Sequence, residues 1–207
     1  MTNKAFVKSI MAGFTIGLGG LIYLSLDNKV IGSALFSVGL FVVLTFGFNL
    51  FTGKVCYTID KGGPSIPDMI SIWVGNFIGT LILALMIRGT RVGAAVAEKA
   101  TALCEVKNGD SYLSLFLLGI LCNIFIFIAV DEFKNNSHEL GKYLGIFLGV
   151  MGFILAGTEH CVADMFYYNM AFNYSVNAII KLLVITAGNT VGGICINYVC
   201  KKLKYEL

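Results

Sequence analysis

Charge is the scarcest feature of this 207-residue chain: only 13% of its residues are Asp, Glu, Lys or Arg. With 57% hydrophobic residues and a mean hydropathy of +0.83, that scarcity excludes an ordinary soluble domain. Proline is nearly absent, and Pro64 and Pro67 lie in the loop before the third apolar run, which leaves the interiors of the runs free of it. The six cysteines (Cys56, Cys104, Cys122, Cys161, Cys195, Cys200) form no CxxC and no paired spacing. That argues against a disulfide framework or a structural zinc site, and they read as small polarizable residues at helix contacts. No hydrophilic stretch is long enough for a second domain, so residues 1–207 read as one membrane domain. No signal peptide is expected: the first apolar run lacks a small-residue cleavage site and is followed by further runs. The net charge of +3 gives no sign of a nucleic-acid partner.

What is present is a series of six apolar runs, at about 6–26, 30–58, 66–87, 111–130, 141–171 and 178–200. Runs of roughly 18 residues or more read as transmembrane helices. The second and fifth are too long for one straight span. Each is interrupted near its middle, by Gly47-Phe48-Asn49-Leu50-Phe51-Thr52-Gly53 and by Gly157-Thr158-Glu159-His160-Cys161-Val162-Ala163-Asp164. Irregular backbone at membrane depth is tolerated only where it lines a protein-enclosed cavity. Two such breaks, one per half, point to a pore or binding site near the bilayer midplane.

The halves also echo each other. Gly75-Asn76-Phe77-Ile78-Gly79 in the third run and Gly188-Asn189-Thr190-Val191-Gly192 in the sixth both read Gly-Asn-x-x-Gly. Three spans per half is an odd number, so the second half crosses inverted relative to the first. The expected fold is all-α, with six transmembrane helices in inverted three-helix repeats, about 1–95 and 110–207, joined by a connection at 88–110. Glycines inside the spans allow close helix contact. Six spans put both termini on one side. That side holds Lys4, Lys8, Lys54, Lys61, Lys134, Lys142, Lys201, Lys202 and Lys204. The other holds Lys29, Arg88, Arg91, Lys99, Lys107 and Lys181, so the balance favours cytoplasmic termini.

An ionisable residue inside a span is by default a functional hypothesis, which singles out His160. Two readings of it stand: a group that binds an anion or passes it a proton, and a neutral ring bonded to backbone freed by the break. Glu159, His160 and Asp164 also form a conceivable metal constellation. Three ligands on one short stretch are poor geometry, however, and His138 lies in a loop, so no metal and no cofactor is expected. Asn49, Thr52 and Asn123 are polar groups at membrane depth, either pairing helices or replacing part of a solute's hydration shell. Lys107, just before the fourth span, is either a solvated loop charge or a source of anion attraction at a pore mouth. Leu40, Leu50, Phe51 and Phe153 lie near the breaks as plain core residues or as apolar constrictions.

Three of these segments together resemble the formate/nitrite transporter family across essentially all six spans. They are the 47–53 loop, Gly119-Ile-Leu-Cys122-Asn123-Ile-Phe-Ile-Phe-Ile-Ala129 in the fourth span, and Gly157 to Met165 in the fifth. The resemblance implies an aquaporin-like protomer, a pentamer of independent pores, and passage of formate, nitrite or hydrosulfide. It makes His160 the central pore histidine, Asn123 its polar neighbour and Lys107 the charge near one vestibule. Leu50, Phe51 and Thr52 become the loop side of one constriction with Leu40 below, and Phe153 belongs to the other. The chain departs from the family pattern at Asn49, where many members have an acidic residue, and at Ile126 and Phe127, where Val and Cys are usual. It also departs at Asp164, where Asn is common. Taken whole, it looks closest to the hydrosulfide-channel branch. The implied setting is a bacterial-type inner membrane, with a small anion, the bilayer and copies of the same chain as partners.

Three rivals remain at this point. A water or glycerol facilitator shares the inverted-repeat plan, but the paired Asn-Pro-Ala loops of such proteins are absent. A membrane metal enzyme would use Glu159, His160 and Asp164. A purely structural protein would have no use for two broken helices.

Overall fold

The computed structural model describes residues 1–204. They form helices α1 (Asn3–Ser25), α2 (Lys29–Thr45), α3 (Phe51–Val55), α4 (Ile66–Arg88), α5 (Gly93–Gly109), α6 (Tyr112–Asn135), α7 (Glu139–Leu155), α8 (Cys161–Ala171) and α9 (Val176–Lys204). The fold is all-α. Among the described residues α1, α4, α6 and α9 are long and apolar enough to cross a membrane. The two over-long runs each resolve into a pair, α2 with α3 and α7 with α8, and the breaks fall where the sequence puts them. The 88–110 connection contains α5, a helix of 17 residues. Lys99 on α5 pairs with Asp27 in the α1–α2 turn at 2.8 Å, tying that helix across the first half.

The helix ends follow from local sequence. The Asn28 side chain accepts the amides of Val30 and Ile31 at the start of α2. Ser65 and Asp68 form a capping box at the start of α4. The ends of α2 and α7 are built alike. Gly47 and Gly157 have φ of +63° and +66°, a left-handed conformation that favours glycine. The Phe48 amide then donates to the Val43 carbonyl and the Thr158 amide to the Phe153 carbonyl, at 2.9 and 3.1 Å. This is the Schellman closure, which satisfies carbonyls that lipid cannot. Every residue in it corresponds to its partner at an offset of 110 in the chain.

The correspondence extends to the asparagines of the Gly-Asn-x-x-Gly segments. The Asn76 Oδ1 accepts the first amide of α3, from Phe51, at 2.8 Å. Its Nδ2 donates to the carbonyls of Ser9 and Asn49. In the second half Asn189 Oδ1 accepts the first amide of α8, from Cys161, at 2.9 Å. Its Nδ2 donates to the carbonyls of Gly119 and Glu159, both at 2.8 Å. One side-chain amide per half therefore supplies the donors and the acceptor that a broken helix lacks.

The glycines flanking these asparagines set the backbone distance. The principal packings are α6 on α9, α1 on α4 and α1 on α2. A Cβ at Gly79 would sit 1.9 Å from the Ile10 carbonyl oxygen, and one at Gly192 would sit 2.3 Å from that of Ile120. Gly79→Ala is therefore expected to push α4 off α1 and misalign Asn76 with the first break. The cost, about 1–3 kcal/mol for overpacking, should appear as a lowered melting temperature in detergent. An unchanged melting temperature would show that the contact gives way freely.

Candidate pore between two cavities

Two cavities approach the breaks. The first, about 120 Å³, is lined by Leu40, Val43, Phe48, Leu50, Lys54 and Lys134 among others. The second, about 290 Å³, is lined by Tyr23, Lys29, Lys107, Phe153, Glu159, His160, Asp164 and Tyr167 among others. Lys29 opens α2 and lines the second cavity, whereas Leu44 near its end lines the first. At 1.5 Å per residue these positions are roughly 22 Å apart, so the cavities lie at opposite ends of α2.

Between them the protein is tightly filled. Leu40, Leu50 and Phe153 are buried. The Phe153 ring meets Phe36 edge-on at 5.9 Å and stacks on His160 at 5.4 Å. Leu40 and Leu50 close the first cavity, and Phe153 closes the second. Phe51 does neither: its ring lines an outer apolar groove with Met69, Trp73 and Thr186. Phe36, which the sequence reading passed over, lies one helical turn before Leu40, a spacing that would have pointed to it.

His160 caps α8, and its bonds fix its chemistry. The Ala163 amide donates to Nδ1 at 3.0 Å. A ring nitrogen that accepts carries no proton, so the ring proton sits on Nε2. Nε2 lies 2.9 Å from Thr52 Oγ1 and donates to it. The two breaks thus meet through one hydrogen bond, between residues 108 apart in sequence. The hydroxyl of Thr52 keeps its own proton to offer elsewhere.

Asn123 is buried, and its Nδ2 donates to the carbonyls of Thr52 (3.2 Å) and Asn189 (2.7 Å). It holds the backbone behind the Thr52–His160 pair. Asn49 sits on the other side of the first break, where its Nδ2 donates to the Ala5 carbonyl at 2.9 Å. The Lys8 carbonyl accepts the Asn49 amide at 3.2 Å, so the start of α1 is stitched to the break.

Lys107 is where sequence and structure part most. It is no solvated loop charge: it lies in the last turn of α5 and is only 9% exposed. Its ammonium bonds Glu159 and lies 3.0 Å from Asp164 Oδ1. Both carboxylates are buried. This arrangement also removes the metal constellation, since the two acids grip a lysine and His160 turns to Thr52. Asp164 was visible in sequence as a member of the candidate metal constellation and as a departure from the family pattern. Its spacing of four from His160 was the available signal that both face one cavity.

The formate/nitrite transporter family model matches residues 1–201. The chain belongs to the formate/nitrite transporter family. It is 29% identical to the formate channel FocA of Haemophilus influenzae, over 78% of this chain and 64% of that protein's length. It is 28% identical to the nitrite transporter NirC of Salmonella typhimurium, over 91% of this chain and 78% of that one. Among solved structures, a pentameric formate channel with formate bound superposes with a TM-score of 0.84 at 26% identity, covering 99% of this chain and 97% of that one. These relatives are channels and transporters, not enzymes. Family and apolar helices together make this chain an integral membrane protein.

Proposed function

We propose that the chain conducts small monovalent anions, with hydrosulfide the best-fitting substrate and formate and nitrite also accepted. The observation that carries this reading is the pair of cavities at opposite ends of α2, parted by Leu40, Leu50 and Phe153 and bridged by the Thr52–His160 hydrogen bond. In this reading those residues are the pore, with Lys107, Glu159 and Asn49 around it and Asn123 behind. Phe51, buried beside the break, lines a separate apolar groove. The protomer is one domain of two inverted repeats, about 1–95 and 110–207. Five protomers assemble, each with its own pore, in a cell inner membrane with cytoplasmic termini. Support comes from the formate-bound pentamer and from the lysine balance between the two faces.

The geometry gives the mechanism its physical limits. A bare anion crossing apolar rings loses hydration that must be replaced. Lysines at both cavities raise the local anion concentration, Lys54 and Lys134 at one and Lys29 at the other, while the charge of Lys107 is taken up by Glu159 and Asp164. The Thr52 hydroxyl offers a donor at the constriction. The rest of the barrier is lowest for an anion that becomes neutral easily. Hydrosulfide has a much weaker conjugate acid than formate, so it gains a proton more readily near pH 7.

Flux into proteoliposomes tests this reading. Hydrosulfide, formate and nitrite should pass well ahead of chloride, and hydrosulfide ahead of formate at neutral pH. Equal passage of hydrosulfide and formate at matched gradients would remove the substrate ranking. Passage of water or glycerol without any anion would remove the anion pore. His160→Asn should slow anion flux about tenfold, the effect of losing one hydrogen bond of about 1.4 kcal/mol. The pH dependence should survive, because both ring nitrogens are engaged in the neutral state. Its disappearance would make His160 the titrating group instead.

A further inference from the structure

The buried charges of the second cavity do not balance, Lys29 being exposed at its mouth. Lys107 contributes one positive charge, and Glu159 and Asp164 contribute two negative ones when ionised. All three are buried, with Asp164 only 1% exposed. Asp164 Oδ1 reaches the ammonium, but among the described residues Oδ2 has no hydrogen-bond partner. An uncompensated buried charge with an unsatisfied oxygen is costly, and two carboxylates at one cation relieve it by keeping a proton between them. The same carboxylates line the cavity that His160 and Phe153 close, where an anion would wait before the constriction.

The other groups facing this site do not supply that proton. The His160 ring has its Nδ1 occupied by the Ala163 amide and gives its Nε2 proton to Thr52. Cys104 on α5, Cys122 on α6, Cys161, Tyr167 and Tyr168 on α8, and Tyr23 on α1 are thiols and phenols, far weaker acids than a carboxyl group. Lys29, at the start of α2, is an exposed cation at the cavity mouth.

We propose that Glu159 and Asp164 share one proton and that Asp164 hands it to the anion in the second cavity. The inference rests on the anion-pore reading above and adds the source of the proton. The step is balanced: the Asp164 O–H bond breaks, an H–X bond forms on the anion X⁻, and Asp164 is left as carboxylate. The neutral acid HX then passes Phe153, Leu50 and Leu40. Water in the cavity returns a proton to Asp164, and Lys107 holds the carboxylate in the interval.

The test is formate-driven proton uptake in proteoliposomes, read with an internal pH dye against protein-free vesicles, for the parent chain, Asp164→Asn and Asp164→Glu. Asp164→Asn should cut the initial rate about a hundredfold, the low end of what a positioned acid contributes, and flatten its rise with acidification. Asp164→Glu should retain the pH dependence. A role in charge alone predicts the reverse for Asp164→Asn, because removing a negative charge strengthens anion attraction. An equal or faster rate with an unchanged pH profile would therefore overturn the proposal. Failure of the parent chain to pass any anion would overturn the pore reading and the proposal with it. Infrared spectroscopy of the parent protein gives an answer that needs no variant to fold. A neutral-carboxyl C=O band should be present at neutral pH, and its absence would overturn the proposal.

Discussion

Lys107→Met is expected to destabilise the protein by about 3–5 kcal/mol, the range for removing one partner of a buried ion pair. The lysine is itself buried and is shared by two acids, so its loss strands both Glu159 and Asp164 next to the second break. A buried ion pair adds little over an apolar replacement of the whole group, because desolvation offsets most of the attraction. Breaking it from one side is what costs. Adding Glu159→Gln and Asp164→Asn to Lys107→Met should therefore recover much of the lost melting temperature. Anion flux should stay low in the triple variant, which has neither the cation nor the carboxyl proton. A full-stability Lys107→Met protein would mean that water reaches the carboxylates freely, and that the cavity is wetter than its buried lining implies.

Asn189→Ala carries the second large effect, at about 3–5 kcal/mol. It leaves the Cys161 amide and the carbonyls of Gly119 and Glu159 without their partners, at roughly 1–3 kcal/mol each, softened where water fills the gap. Asn76→Ala should behave alike, since Asn76 makes the matching bonds in the first half. Asn189→Asp keeps the acceptor but turns a buried carboxylate oxygen toward the Gly119 and Glu159 carbonyls, and should be at least as destabilising as Ala. Thermal unfolding in detergent reads all three. Loss of well under 1 kcal/mol for either alanine variant would show that the breaks hold their shape without these amides.

Much of this was legible in the chain. The two breaks were readable because apolar runs too long for a single span met Gly-rich polar segments in their middles. The Gly-Asn-x-x-Gly pair marked the repeat, although its meaning as a clamp on the break of its own half was not visible. The reason is distance in sequence: Asn76 serves Phe51 and Asn189 serves Cys161, at separations of 25 and 28 positions. Lys107 was placed beside the fourth span, but its burial was not. A short helix of mixed composition gives no clue to which of its faces meets α8.

Apolar run length, glycine placement and the polar interruptions determined an all-α membrane fold, the position of both breaks and the family. Those are local properties, because lipid imposes the same demand on every segment: backbone groups must be bonded and side chains must be apolar. Only the tertiary structure decided that Phe51 lines a groove apart from the two cavities, that Asn123 braces backbone, that Thr52 meets His160 and that Lys107 closes on Glu159 and Asp164. Those contacts join residues far apart in the chain. They are selected by the matching of donors, acceptors and charges once the helices have packed, which no single segment encodes.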